Sequence, residues 1–149
     1  MNNISIPFKE YHALSELDTP LCSLIERAKD ASQKAYAPFS HFKVGAAILL
    51  DSGEILSANN QESEALPSGI CAERALLYHY QANFTEHKIV ALAVFSPNSD
   101  LISPCGACRQ VICDTEKRQH SNIKIIMAGD KHGVVVSSAK ELLPFTFSL

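Results

Sequence analysis

The chain has 149 residues, of which 46% are hydrophobic and 19% are charged. This balance is typical of a globular protein rather than a disordered one, and the length suits one domain with its own core. The formal net charge of −3 and the lack of a basic run argue against a nucleic-acid backbone as a partner.

The beginning of the sequence does not resemble a secretory signal, and no apolar stretch approaches the roughly 18–20 residues that a membrane span needs. We therefore expect a cytoplasmic protein. In that reducing compartment, the five cysteines indicate a metal site or catalysis before disulfides. Cys22 and Cys113 lie on predicted helix faces with no partner at a ligand-like spacing, so we expect them to be small buried side chains.

The first half of the chain predicts an arm, a helix and a hairpin. Residues 1–18 have no clear period and are expected to pack as an arm on the domain surface. Thr19-Pro20 is typical of a helix start, and apolar residues keep the helical spacing until Pro38 stops it near residue 36. Residues 44–50 and 54–58 flank a short turn, which predicts a β-hairpin.

The second half of the chain alternates helices with buried strands. The predicted elements are helices at 70–81, 105–118 and 139–142 and strands at 89–95, 123–127 and 134–136. The run at 89–95 is continuously apolar, as is typical of a strand covered on both faces. The alternation predicts one α/β domain over residues 1–149, with three α/β/α layers and a five-stranded mixed sheet.

Three cysteines offer thiols for one metal ion. Cys105 and Cys108 lie three residues apart on one predicted helical turn, and Cys71 lies at the start of an earlier helix. Helix N-termini favour thiolates, because their free N–H groups and their dipole attract negative charge. A structural zinc ion has four protein ligands, whereas a catalytic zinc ion has three and an open position for water. The pattern therefore indicates a hydrolytic zinc enzyme.

Two charged residues that follow Cys71 suit such a site. Glu73 points about 200° of helical rotation away from Cys71, so it is better placed to face a substrate as a proton carrier than to bind the metal. Arg74 follows Cys71 by three residues and can donate to the sulfurs. Such a contact would withdraw charge from a metal that carries three thiolates.

Two other interpretations of the cysteines remain open. The segment 105–108 between a strand and a helix also fits a thioredoxin-like redox pair, although no tryptophan precedes it and Cys71 is then unexplained. A purely structural zinc site would need a fourth ligand, for which the candidates are His79, His87 and His120. None of these histidines has a ligand-like spacing from the cysteines.

Four segments in order carry a family resemblance. They are 36–47 (YAPFSHFKVGAA), 69–74 (GICAER), 103–110 (SPCGACRQ) and 141–147 (ELLPFTF). Together they make the chain resemble the cytidine deaminase family, in its short-chain branch with three cysteines, from about residue 35 to residue 147. In zinc deaminases of this class the conserved glutamate is not a zinc ligand.

The resemblance implies hydrolytic removal of the 4-amino group of cytidine or deoxycytidine, which yields uridine or deoxyuridine and ammonia in pyrimidine salvage. It implies Zn²⁺ as the cofactor, with Glu73 as the catalytic residue that protonates N3 of the base and then the departing amine. The backbone near Ala72 would recognise the amide edge of the base. The implied metal ligands are Cys71, Cys105 and Cys108.

The resemblance also implies contacts with the rest of the nucleoside. Asn60 and Glu62 match residues that bind the ribose hydroxyls, and Phe42 matches an aromatic that packs on the base. Phe147 matches an aromatic lent by a neighbouring subunit, because family members of this length are homotetramers with shared active sites. Plainer alternatives are core or interface packing for the two phenylalanines, a turn cap for Asn60 and a solvated loop charge for Glu62.

One segment departs from the family pattern. The family usually has Glu-Asn-Ala-small-Tyr before its glycine loop, whereas residues 62–66 of this chain read Glu-Ser-Glu-Ala-Leu. In the family this loop reaches across a subunit boundary toward the sugar, so we expect altered recognition of the 5′ side. A deaminase of a different aminopyrimidine or aminonucleoside is therefore a second hypothesis. A binding or regulatory protein with an inactive zinc site is a third, against which the presence of Glu73 argues.

Overall fold

A computed structural model describes residues 1–130 and 132–149, and in these residues six strands form one mixed sheet. The strands are β1 (Lys9–Tyr11), β2 (Gly45–Leu50), β3 (Ile55–Asn59), β4 (Ile89–Phe95), β5 (Lys124–Ala128) and β6 (Gly133–Val136). Their order across the sheet is β1-β6-β5-β4-β2-β3. Strands β4 and β5 are parallel, and the other neighbouring pairs are antiparallel.

Three α-helices within the described residues cover the two faces of this sheet. They are α1 (Thr19–Gln33), α2 (Ala72–Asn83) and α3 (Gly106–Gln119). Successive side chains of a strand point to opposite faces. Ala47 of β2 therefore packs in the cluster that contains Leu24 of α1, whereas Ile48 packs with Leu76 of α2 and Ile112 of α3. The helices and the sheet thus form three α/β/α layers, and α2 and α3 begin on the same side of the sheet.

The predicted α/β fold is confirmed, but the sheet has one strand more than the five predicted. The additional strand is β1, which belongs to the predicted arm and pairs antiparallel with β6 at the edge of the sheet. The burial pattern of β1 explains why this strand was not predicted, because only Tyr11 is buried while Lys9 and Glu10 are exposed. A three-residue strand with one buried side chain is too short to show a period of two.

Other boundaries shift by a few residues. Helix α1 ends at Gln33 rather than near residue 36, and the predicted helix at 139–142 is a 3₁₀ turn at Ala139–Glu141. In the part of the chain that the structure describes, no helix has both the length and the apolar character to cross a membrane.

Candidate metal centre and catalytic residues

Three cysteine side chains meet where α2 and α3 begin. Cys71 and Cys105 are the N-cap residues of the two helices, and Cys108 lies in the first turn of α3. The Sγ atom of Cys71 lies 3.8 Å from that of Cys105, which lies 3.4 Å from that of Cys108. All three sulfurs lie within 4.8 Å of one another. The fold therefore brings the thiol of Cys71 to Cys105, which lies 34 residues further along the chain, and to the neighbouring Cys108.

The spacing and chemistry of the three sulfurs fit one zinc ion. Zn–S bonds of about 2.3 Å at tetrahedral angles separate the sulfurs by about 3.8 Å. Among the described residues, no histidine, further cysteine or carboxylate lies close enough to join the cluster as a fourth ligand. The interpretation as a purely structural zinc site is therefore left without a fourth ligand. A set of three thiols leaves one coordination position for water, as in a catalytic zinc site.

Local charges favour a thiolate at Cys71. A hydrogen bond with Cys108, followed by the guanidinium of Arg74, lowers the pKa of Cys71 to about 5. The Nη2 atom of Arg74 donates to Cys71 Sγ at 3.7 Å, and this contact raises the pKa of Arg74. The pKa of Cys108 rises, chiefly because its thiol is the hydrogen-bonding partner of Cys71. The site therefore favours one thiolate, stabilised by Arg74, before a metal binds.

Glu73 lies in the first turn of α2 and is not a member of the thiol cluster. Its side chain is buried, with an exposed fraction of 4%. Burial raises the pKa of the carboxyl to about 7, and the negative charge of Cys71 acts in the same direction. A carboxyl that titrates near neutral pH can take up and release a proton, as a general acid–base must.

A backbone bridge holds the segment 60–62 beside the start of α2. Gln61 and Ile70 exchange two backbone hydrogen bonds of 3.0 and 2.9 Å, and Gln61 also bridges to Tyr36. Ile70 directly precedes Cys71. The predicted sugar-binding residues Asn60 and Glu62 are thereby held next to the chain that leads into the metal site.

Asn60 ties the end of β3 to the segment before β2. Its Oδ1 atom accepts a hydrogen bond from the backbone N–H of Val44 at 2.8 Å, and its Nδ2 atom donates to the carbonyl oxygen of Phe42 at 2.9 Å. The side chain thus makes the local backbone contacts of a turn cap and fixes the backbone on both sides of Lys43. Phe42 itself is half-buried.

The carboxylate of Glu62 accepts hydrogen bonds from the turn at Phe39 and Ser40, two residues of the segment 36–47 for which the sequence predicted no role of their own. Its Oε2 atom accepts from the backbone N–H groups of Phe39 at 2.9 Å and Ser40 at 3.2 Å. Its Oε1 atom accepts from the hydroxyl of Ser40. The Ser40 hydroxyl is the largest cause that lowers the pKa of Glu62. Glu62 is therefore an ionised, oriented acceptor rather than a freely solvated loop charge.

Arg109 is a second residue that sequence analysis did not assign. Its Nε atom donates to the carbonyl oxygen of Pro104, and its Nη2 atom donates to Ser103 Oγ, both at 2.8 Å. Its Nη1 atom donates to the carbonyl oxygen of Leu142, also at 2.8 Å. Arg109 thereby fixes the turn that presents Cys105 and ties it to the C-terminal segment. Its position next to Cys108, within the segment 103–110, is the signal that the sequence offers for this role.

Comparison with known proteins decides the family. The family model for the cytidine and deoxycytidylate deaminase zinc-binding region matches residues 19–122, which is more than half of the chain. The chain belongs to this family. The cytidine deaminase of Sporosarcina psychrophila is 34% identical over 125 residues, which cover 84% of this chain and 89% of the relative. A cytidine deaminase of Mycobacterium tuberculosis H37Rv is 31% identical over 122 residues, covering 82% and 85%.

Solved structures of deaminases from the family share the fold. The crystal structure of cytidine deaminase from Burkholderia pseudomallei matches with a TM-score of 0.72 and 36% identity, over 84% of this chain and 97% of that chain. The cytidine deaminase from Mycobacterium tuberculosis matches with a TM-score of 0.71 and 28% identity, over 89% and 100%. Membership of the family and the thiol cluster together identify zinc as the cofactor of this deaminase-family chain.

Two further residues implied by the family resemblance lie in contrasting surroundings. Ala72 is fully buried as the first residue of α2, directly after Cys71. Phe147 is 67% exposed, and its carbonyl oxygen accepts a hydrogen bond of 3.2 Å from Gln110 of α3. The ring of Phe147 is therefore free of the core of its own chain.

Proposed function

We propose that this chain catalyses the hydrolytic deamination of cytidine and deoxycytidine to uridine and deoxyuridine, with release of ammonia, as a step of pyrimidine salvage. The meeting of two helix N-termini carries the proposal, because it unites three thiols for zinc and leaves the buried Glu73 in the adjacent turn. The similarity to the cytidine deaminases of Sporosarcina psychrophila and Halalkalibacterium halodurans supports the substrate.

In this proposal, residues of the chain hold the metal ion and offset part of the negative charge of its ligands. Three thiolates, from Cys71, Cys105 and Cys108, would bind Zn²⁺, which supplies a Lewis acid that lowers the pKa of water from about 15.7 toward 7. Three thiolates on a dication leave a net charge of −1, which opposes the ionisation of water. Arg74 offsets part of this charge by donating to Cys71 Sγ.

Glu73 moves the protons in this proposal. Its carboxylate takes one proton from the attacking water and delivers it to N3 of the base. It then carries the second proton from the oxygen on C4 to the 4-amino group, which leaves as ammonia. The oxygen of water stays on C4 as the carbonyl oxygen of uridine. The carboxyl suits this double role, because burial raises its pKa to about 7.

We propose that Asn60 and Glu62 bind the ribose hydroxyls, that Phe42 packs on the base and that the backbone near Ala72 recognises the amide edge. The hydrogen bonds that orient Glu62 support its role as an acceptor for a hydroxyl. The contact of Asn60 with the Phe42 backbone supports a joint role of these two residues. The bridge between Gln61 and Ile70 supports their nearness to the metal ligands.

We further propose a cytoplasmic homotetramer, in which each chain is a single domain over residues 1–149 and lends Phe147 to a neighbouring active site. The exposure of Leu66, Phe145 and Phe147 in the isolated chain supports an interface, since their exposed fractions are 81%, 88% and 67%. Leu66 lies in the segment that departs from the family pattern.

Residues 63–66 favour a second candidate, a deaminase of a different aminopyrimidine or aminonucleoside. Glu64 is an exposed charge and Leu66 an exposed apolar side chain in this loop. A carboxylate there would repel a phosphate, so neutral nucleosides, including those modified on the 5′ side, would be preferred over nucleotides.

One assay series tests both candidates. The purified protein would be analysed for zinc and then mixed with cytidine, deoxycytidine and free cytosine while ultraviolet absorbance is followed. We expect one zinc per chain and turnover of the two nucleosides, with little turnover of cytosine. A zinc-loaded protein that converts neither nucleoside but does convert another aminopyrimidine or aminonucleoside would favour the second candidate. A zinc-loaded protein that converts none of these compounds would contradict both.

A further inference from the structure

An exposed turn residue, Ser40, contacts both Glu62 and Phe42. Its hydroxyl donates to Glu62 Oε1, and its backbone N–H donates to Glu62 Oε2 at 3.2 Å. The oxygen of the same hydroxyl accepts a hydrogen bond from the backbone N–H of Phe42 at 3.0 Å. A serine hydroxyl has one proton and two lone pairs, so it can serve both partners at once. One small side chain therefore links two residues of the proposed nucleoside site.

Glu62 keeps one acceptor position after these contacts. A carboxylate offers about four lone-pair positions. Three of them are filled by Ser40 Oγ, by the N–H of Ser40 and by the N–H of Phe39. The carboxylate is thereby held in one orientation, with a remaining lone pair for one hydroxyl donor.

The backbone of the turn makes the double contact possible. His41, between Ser40 and Phe42, has a φ of 56°, in the left-handed region that non-glycine residues rarely adopt. Its N–H donates to the carbonyl oxygen of Ala37 at 3.0 Å. This conformation turns the chain back, so that the Ser40 hydroxyl reaches the Phe42 N–H two residues later.

We infer that Ser40 is a positioning residue for the sugar of the substrate, which it serves by orienting Glu62 and Phe42 together. The inference rests on the proposed function, because it requires a nucleoside with sugar hydroxyls. Ser40 does not have to touch the substrate. Its contribution would be to hold the acceptor and the aromatic at a fixed separation before the nucleoside binds.

The test compares Ser40→Ala with the unmodified protein on two substrates. On cytidine we expect KM to rise about three- to tenfold with kcat nearly unchanged, the size of one net hydrogen bond lost from binding. On 2′,3′-dideoxycytidine, which lacks the 2′- and 3′-hydroxyls, kcat/KM should fall clearly less than on cytidine, because only the contact of Phe42 with the base is then affected. Ser40→Thr keeps a hydroxyl and should restore the KM for cytidine.

Two further measurements separate positioning from a general effect on the fold. In a Glu62→Gln background, Ser40→Ala should add little further loss, because coupled residues are not additive. Ser52→Ala is a matched control, since Ser52 is also an exposed turn serine whose Oγ accepts from a backbone N–H two residues later, that of Glu54 at 3.4 Å. Its KM values should equal those of the unmodified protein.

An equal loss on both substrates, full additivity with Glu62→Gln or an unchanged KM for cytidine would each overturn the inference. If Ser40→Ala does not fold, Ser40→Cys carries the same comparison, because a thiol is a weaker donor of similar size. The proposed function fails separately, and the inference with it, if the zinc-loaded unmodified protein converts neither cytidine nor deoxycytidine.

Discussion

At the scale of single residues, Cys108 and Cys113 show what makes a buried thiol a ligand. Both are buried on α3, yet Cys108 faces two other sulfurs while Cys113 packs in the core beneath the sheet. Burial is the largest cause that raises the pKa of Cys113, as for an inert thiol. A metal site needs several thiols that converge, so the direction of the side chain decides its role.

Removal of one converging thiol should release the metal. We predict that Cys108→Ala loses most of its zinc and unfolds at a lower temperature, since metal binding is coupled to folding and two thiols hold zinc more weakly than three. Cys113→Ala, on the same helix, should keep one zinc per chain. Elemental analysis and thermal melts would measure both variants. Full zinc content in Cys108→Ala would contradict the assignment of this ligand.

Substitution of Glu62 should weaken binding of the sugar. A hydrogen bond to a charged group is worth about 1.5–3 kcal/mol, so Glu62→Gln should lower kcat/KM for cytidine by about ten- to a hundredfold. Glu54→Gln, an exposed glutamate of the β2–β3 hairpin, provides the control. Steady-state kinetics on cytidine would show the difference. Unchanged constants for Glu62→Gln would mean that the sugar is held elsewhere or is not part of the substrate.

The sequence revealed the metal ligands more readily than the residues that orient the site. The spacing of Cys105 and Cys108 is local, and helix periodicity is enough to predict that both sulfurs can reach one ion. Ser40 and Arg109 act through partners 22 and 33 residues away, namely Glu62 and Leu142. No local pattern marks such a contact, so only the folded chain discloses it.

At the scale of elements, the site depends on where α2 and α3 begin. Cys71 and Cys105 both have extended backbone conformations as N-caps, without a side-chain capping hydrogen bond of their own. Neither sulfur is therefore used to cap a backbone N–H group of its own helix. Both helices were predicted from sequence to within two residues at each end. The backbone bridge between Gln61 and Ile70 was not predicted, because a single pair of residues produces no periodic pattern in the sequence.

The loop 63–66 is the element in which the sequence is expected to depart from the family pattern. We predict that the combined change Ser63→Asn, Glu64→Ala and Leu66→Tyr raises kcat/KM for cytidine by about three- to tenfold, because it restores roughly one hydrogen bond near the sugar. Zinc content should not change, since the loop provides no ligand. If the changed protein is no faster and the unmodified protein already converts cytidine efficiently, the loop is neutral variation.

At the scale of the whole molecule, the sheet and its helices leave apolar side chains exposed at both ends of the chain. Phe8 of the N-terminal arm and Phe147 of the C-terminal tail are 63% and 67% exposed. The arm also supplies β1, whose pairing with β6 covers that edge of the sheet. The layers could be predicted from the sequence, because alternating helices and apolar strands have few packing solutions. Strand β1 could not, because three residues with one buried side chain carry too little signal.

We predict that the protein is a homotetramer in solution. Light scattering coupled to size exclusion should give about four times the 16.3 kDa mass of one chain. Phe147→Ala should raise KM for cytidine, because the ring is expected to complete a neighbouring site, whereas Phe8→Ala should not. A fully active monomer would contradict the assembly and the role of Phe147 together.

The central claim of the account is that three thiolates hold the zinc while Glu73 carries the protons, and the variant Glu73→Ala tests it most directly. Loss of a proton carrier costs roughly 10²–10⁴ in rate, and more where one group serves several steps. We therefore predict that Glu73→Ala keeps one zinc per chain and the assembly of the unmodified protein, and loses nearly all turnover of cytidine. Glu86→Ala, an exposed glutamate near the end of α2, should keep both zinc and turnover. A Glu73→Ala protein that stays active, or that loses its zinc, would contradict the account.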